Sequence, residues 1–315
     1  MGTFVSGAGP GRAWHDPSVA EGGRGTTRRA VVAGVLGLTG AAFLGGCSVR
    51  LERDAPDIPG LKTPDPPPDQ PVLLATLADL RRLHTAAEAT PGEGARLAAM
   101  HQAQADRLAA VVAGLGITAP TTTSPATPVL GSAEVAFAPG ARVADIARAS
   151  TTYVPMLAAV LASRGAAGQS LGQAPVWPAA RMPSALAVSL LAAVRPAVYG
   201  FEMIAARTPS KERKPVRATL KQLYAARSSL EAAAGAAAPP AQLTYQLPFA
   251  ITDASSRSRL AQELLTAMVT TAAGQAAGVR GRPADLSGLL DVWSTAIALS
   301  WTWGVAPTAF PGLTA

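Results

Sequence analysis

Histidine, cysteine and closely spaced carboxylates are scarce in this 315-residue chain, and their spacing narrows the chemistry open to them. A di-iron centre in a helical bundle draws on about four carboxylates and two histidines, with Glu-x-x-His on two helices so that both ligands share a face. His84 and His101 are the only histidines after residue 46, and the positions three before them hold Arg81 and Ala98. The paired motif is therefore missing. His84 and His101 offer at most a two-ligand metal site, and no cofactor is implied. His84 and Glu88, one helical turn apart, are expected as an exposed i,i+4 pair. Gly168-Gln169-Ser170-Leu171-Gly172 matches a nucleophile elbow by letter. It lies in an Ala- and Gly-rich helical surround with no histidine after it, so the strand and the base that a serine nucleophile needs are both absent. Phosphate-cradling Gly-x-x-x-x-Gly-Lys-Ser/Thr and His-Glu-x-x-His are absent as well. No catalytic constellation is visible, and the expected role is not enzymatic.

Cys47, the single cysteine, points to acylation instead. Leu44-Gly45-Gly46-Cys47 ends an uncharged apolar run from Ala30 to Gly46, directly behind Arg28-Arg29. Basic residues, an apolar core and small residues before a cysteine form a lipoprotein signal sequence, with the Cys47 sulfur as the acylated atom. Thr26-Thr27-Arg28-Arg29-Ala30-Val31-Val32 resembles a twin-arginine export motif, with Val31-Val32 where many such motifs have Phe-Leu. The apolar run is 17 residues long, short of the ~20 that a spanning helix prefers. An uncleaved membrane anchor is the other reading of this segment. The expected partners are thus the membrane, through the N-terminal lipid, and the twin-arginine (Tat) export machinery, lipoprotein acyltransferase and signal peptidase during maturation. The expected location is the extracytoplasmic face of the plasma membrane. With its one thiol lipidated, the mature chain has no internal disulfide and no cysteine nucleophile.

Residues 1–46 hold +2 of the formal charge of +7, which leaves +5 after cleavage. That is mildly basic and falls short of a nucleic-acid footprint. Along the sequence the basic residues look scattered, with Arg far outnumbering Lys. The densest cluster is Lys211-Glu212-Arg213-Lys214. It reads as a solvated first helical turn, or as a membrane-facing patch beside the lipid anchor.

The elements that must position these residues are helical. After a Pro-rich tether over 47–71, Ala and Leu dominate and apolar residues recur at steps of three and four. The pattern predicts helices over 72–89, 93–115, 141–165, 184–207, 211–236, 255–279 and 284–303. Leu286, Leu290, Trp293, Ile297 and Trp301 form one stripe of the last helix, facing a core. Asp253 or Ser255 is expected to cap the helix before it, and Ser210 the helix over 211–236. Two long connections, Pro120–Pro128 and Ala237–Thr252, divide the helices. A hairpin, a long crossover and a further helix is the connectivity of ferritin-like bundles, and it occurs twice. This predicts an N-terminal bundle over 72–165 and a C-terminal four-helix domain over 184–315, either as two domains or as one elongated body.

Three separated motifs carry a family resemblance: Ala197-Val198-Tyr199-Gly200, the run Leu243-Thr244-Tyr245-Gln246-Leu247-Pro248-Phe249-Ala250-Ile251-Thr252-Asp253, and Ala309-Phe310-Pro311-Gly312-Leu313. Over about 184–313 the chain resembles a ferritin-like domain of unknown function found in actinobacterial exported proteins, many of them lipoproteins. The resemblance implies an all-α, ferritin-like fold and transfers no activity. Members often carry a Glu-His pair just before the Ala-Val-Tyr motif, where this chain has Val194 and Arg195. Pro196 follows, and should kink or start the helix there. The resulting expectation is a lipid-anchored binding or scaffolding module without the di-iron ligands. Its partner would be an envelope protein, a lipid or a glycan, met through an exposed apolar patch around Tyr245, Phe249 and Trp303. A small-molecule or metal-binding protein related to oxidoreductases is the alternative, and it predicts a buried cavity where carboxylates such as Glu202 or Glu263 converge.

Overall fold

The computed structural model describes residues 65–120, 129–136 and 140–314. The export motif Arg28-Arg29, the lipobox Leu44-Gly45-Gly46, Cys47 and most of the tether lie outside the described residues. The described part is all-α, with nine α-helices and no strand. They are α1 (Gln70–Glu88), α2 (Gly94–Gly114), α3 (Leu130–Val135), α4 (Gly140–Arg148), α5 (Val154–Ser170), α6 (Ser184–Arg207), α7 (Arg213–Ala234), α8 (Ala254–Gly274) and α9 (Pro283–Thr302).

Local chemistry sets most boundaries. Pro71, Pro155 and Pro283 stand in the first turns of α1, α5 and α9, where a missing N–H costs nothing. Asp253 caps α8: its Oδ1 accepts from the Ser256 N–H at 2.7 Å, and Ser256 Oγ accepts from the Asp253 N–H at 2.9 Å. Ser210, by contrast, caps nothing. It opens a single 3-10 turn, and α7 starts only at Arg213 without a side-chain cap.

Nine helices stand where seven were expected. The helix expected over 141–165 is two, α4 and α5, because Pro155 needs a helix start and the backbone N–H of Ser150 is drawn off to Asp69 Oδ1 at 2.9 Å. The short α3 was not expected at all. Pro196 neither starts nor ends a helix: α6 runs through it. Arg195 beside it bonds Glu231 at 3.0 Å and the Pro239 carbonyl at 2.6 Å, which ties α6 to α7 and to the connection after it.

The helices pair as hairpins α1/α2, α6/α7 and α8/α9, with α6 against α8 and α5 against α9. The two helical halves share one continuous core that draws on α1, α2 and α4 to α9. The join is tight. A Cβ on Gly165 of α5 would lie 2.8 Å from the Trp177 ring and 2.9 Å from Ser294 Cβ of α9. The connection between α8 and α9 also reaches α4, where Arg280 Nε donates to the Ala149 carbonyl at 2.8 Å. Among the described residues α6 alone is long and apolar enough to cross a membrane, and half of its apolar window is buried within the bundle.

Candidate functional site

The residues singled out by sequence do not assemble into one site. His84 donates through Nδ1 to the Ala98 carbonyl at 3.1 Å, and its Nε2 lies 3.4 Å from Glu88 Oε1. Glu202 is exposed and accepts from the Tyr224 hydroxyl at 2.9 Å, while Glu263 is exposed and pairs with Arg259 at 3.2 Å. These two carboxylates do not meet in one cavity: Glu202 lines a shallow cleft of about 90 Å³ with Glu231, Arg195 and Arg227, and Glu263 stands apart. Among the described residues no three His, Cys, Asp or Glu side chains stand close enough together to hold a metal ion.

The three aromatics expected on an exposed patch are each half-buried and occupied. Trp303 meets Phe201 edge-on at 5.3 Å and donates its Nε1–H to Thr219 Oγ1 at 3.0 Å. Tyr245 packs against Tyr199 at 5.9 Å, and Phe249 lies beneath the Arg259 guanidinium at 4.7 Å. They fasten the long connection and the end of α9 to the bundle.

His101 belongs to a buried polar relay. Gln104 donates through Nε2 to Ser163 Oγ at 2.8 Å and to the Ala309 carbonyl at 2.7 Å. A carbonyl can only accept, so the amide orientation is settled and Gln104 Oε1 faces His101 Nδ1 at 3.1 Å. Nδ1 therefore carries a hydrogen. His101 Nε2 lies 2.6 Å from Glu134 Oε1, and both side chains are fully buried. Two lone pairs would repel at that distance, so one proton is shared by the pair. The other carboxylate oxygen is 3.9 Å from Nε of Arg164, which is itself only 2% exposed. Arg164 also donates to the Ala133 carbonyl at 3.0 Å and approaches Asp79 Oδ2 at 3.4 Å, and Arg142 reaches the same oxygen at 3.0 Å. Burial pushes the Arg164 guanidinium below its ordinary pKa, and the charges of Glu134 and Asp79 oppose that shift. The relay thus joins α1, α2, α3, α4 and α5 to the segment after α9.

That C-terminal segment forms one wall of an apolar cleft. The cleft has a volume of about 890 Å³ and lies between α2, α5, α8, α9 and residues 305–314. Met156, Val269, Ile297, Trp301, Phe310 and Leu313 supply its apolar walls, and Arg107 is the one ionisable side chain among its described lining residues. Gln104 holds the wall at Ala309, and Gln262 Nε2 holds its start at the Trp303 carbonyl, 2.8 Å away. Gly312 lets the segment press against α8: its φ is 83°, and a Cβ there would stand 2.7 Å from the Val269 carbonyl oxygen.

A second cleft of about 430 Å³ opens between α7 and α9, lined by Leu223, Leu230 and Val292 with Asp291 at its side. Asp291 keeps much of its surface open, yet the cleft walls crowd its carboxyl, and this desolvation raises its pKa above 3.8.

Glu134, Arg164 and Gln104 were not anticipated. Arg164 had a signal: it is the lone charge in the apolar stretch from Val154 to Gly168, which marks a charge that must be buried and paired. Glu134 had none, because its helix is too short to show a period.

Comparison with curated proteins and with solved structures returns no match. The family comparison does find one for the part of the chain that holds α6 to α9 and the cleft-closing segment: residues 185–315 match the family described as Domain of unknown function (DUF4439).

Proposed function

We propose that this protein is a lipid-anchored binding module of the cell envelope. In this reading it is exported by the twin-arginine route, acylated on Cys47, and held at the extracytoplasmic face of the plasma membrane. It takes an apolar guest, either an envelope lipid or an apolar segment of an envelope protein, into the cleft beneath residues 305–314. The four helices α6 to α9 are read as ferritin-like in topology: a hairpin, the long connection over 238–253, then a second hairpin. Phe201, Leu265, Met268 and Trp293 are buried in this bundle, and no carboxylate set stands among them.

The observation that carries the reading is the composition of the cleft. About 890 Å³ falls within the range of small-molecule sites. A guest there meets apolar walls and a single guanidinium, with no carboxylate, imidazole or thiol from the described lining to act on it. Binding rather than a reaction fits that surface.

The test uses a long-chain alcohol brominated on its alkyl chain. Bound in the cleft, it quenches Trp301 saturably. Ala103→Phe, placed on the exposed α2 wall, narrows the cleft without adding an indole and should weaken the effect sharply. Quenching that never saturates, or that Ala103→Phe leaves intact, would remove the reading. Cys47→Ala tests the anchor separately and should abolish acylation and membrane retention.

A further inference from the structure

The net charge of the folded chain is concentrated in one segment. Over residues 65–314 there are 20 Lys and Arg against 15 Asp and Glu, and residues 207–221 alone hold six basic residues against the single Glu212. The surplus of the whole described fold equals the surplus of this one segment. Elsewhere most cations are paired, as in Arg195–Glu231, Arg259–Glu263, Arg181–Asp285 and Arg142–Asp79. This segment gathers five that are not. Arg207, Lys211, Lys214, Arg217 and Lys221 are all exposed, and none has an ion-pair partner among the described residues. Glu212 is turned to Arg257 at 3.5 Å.

Residue type and placement agree with the charge count. The chain has four lysines, and Lys211, Lys214 and Lys221 are three of them; the fourth is Lys62. Lys214, Arg217 and Lys221 follow steps of three and four, so they form one stripe on α7, which Tyr224 continues with 38% of its surface exposed. Val216, Leu220 and Leu223 are buried on the other face. The first turn of α7 contains no acidic residue, and cations there oppose the helix dipole. Among the described residues they have no anionic partner, which leaves them open to one from outside the fold.

We infer that the outer face of α7 is a second membrane contact, a basic stripe that lies flush against anionic lipid headgroups. This inference rests on the lipid-anchored reading, which brings the stripe within reach of a bilayer. Cys47 and Asp65 are separated by at most about 60 Å of chain, more than the diameter of a domain whose radius of gyration is about 18 Å. The anchor therefore limits distance and leaves open which face meets the membrane. The charge stripe chooses the face. It acts only at close range, because the field of the headgroups decays over roughly 8 Å at physiological salt, and each basic residue held there shifts partitioning by roughly fivefold.

The acylated protein is placed on vesicles of phosphatidylcholine alone or of phosphatidylcholine mixed with phosphatidylglycerol. It is then labelled with an amine-reactive reagent and read lysine by lysine by mass spectrometry, with Lys62 as the reference within the same chain. Lys211, Lys214 and Lys221 should label at least about fivefold more slowly on the anionic vesicles, and high salt should erase the difference. Equal labelling on both vesicles, with the protein floating with both, overturns the stripe and leaves the anchor standing. A protein that floats with neither vesicle overturns the anchored reading, and the stripe falls with it.

Discussion

His101 Nε2 and Glu134 Oε1 lie 2.6 Å apart with neither side chain open to solvent. Gln104 occupies the other ring nitrogen, so both nitrogens of the imidazole are engaged within the core. Glu134→Ala would remove the fully buried counter-charge of Arg164 and leave the buried His101 Nε2 unpaired, at a cost of about 3–5 kcal/mol. Glu134→Gln keeps the volume and can donate an N–H to Nε2, so its cost should be clearly smaller. Urea unfolding of both variants checks the order, and equal midpoints would mean that shape alone holds α3 in place.

Gln104→Ala removes the bonds to Ala309 and Ser163 and orphans the buried His101 Nδ1, a loss of about 1–3 kcal/mol. The loss should be local to the cleft wall. Hydrogen exchange should accelerate over 305–313 and stay unchanged in the α6/α7 hairpin. Uniform acceleration would show that the bond serves the whole fold instead.

Gly165→Ala forces a methyl group into the contact between α5, Trp177 and Ser294, and overpacking of this kind costs about 1–3 kcal/mol. Gly114, at the end of α2, has open space where its Cβ would go, so Gly114→Ala should gain about 0.4–1 kcal/mol by restricting the unfolded chain. Thermal melts of the two variants should shift in opposite directions.

Asp291 has a raised pKa in the folded state because the cleft desolvates its carboxyl. A raised folded pKa favours folding while the group is protonated, and that contribution is lost as pH rises through the folded value. Asp291→Asn should therefore stabilise the protein near neutral pH, by less than about 1 kcal/mol because the group is half open to water. The gain should vanish below about pH 3.8, the ordinary value for the side chain. A stability difference that does not change with pH would assign the effect to packing.

What the sequence made legible was local. The stripe from Leu286 to Trp301 and the cap at Asp253 depend on residues one or two turns apart, and both appear in the fold. The break between α4 and α5 was also written locally, in Pro155, but the strong Ala/Leu periodicity on either side concealed it. The relay was illegible for a different reason. Glu134 is 33 residues from His101, and Ala309 is 205 from Gln104. No periodicity links such partners, and only the packing of α3 and α5 on the α1/α2 hairpin brings them together. Charge was legible in part: the excess over 207–221 stands in the sequence, but that five of its cations have no ion pair among the described residues while Arg142, Arg181 and Arg195 are paired over long range needed the fold.

The bond from Gln104 to Ala309 also imposes an order on synthesis. An emerging chain that has made only α1 to α5 holds the amide of Gln104 in place with one of its two acceptors still unmade. The α1/α2 hairpin can form early, but its buried face cannot be completed until residue 309 has left the ribosome. Completion of the N-terminal half thus waits on residue 309, and a chain interrupted before it is marked as unfinished by an unsatisfied polar group at its centre.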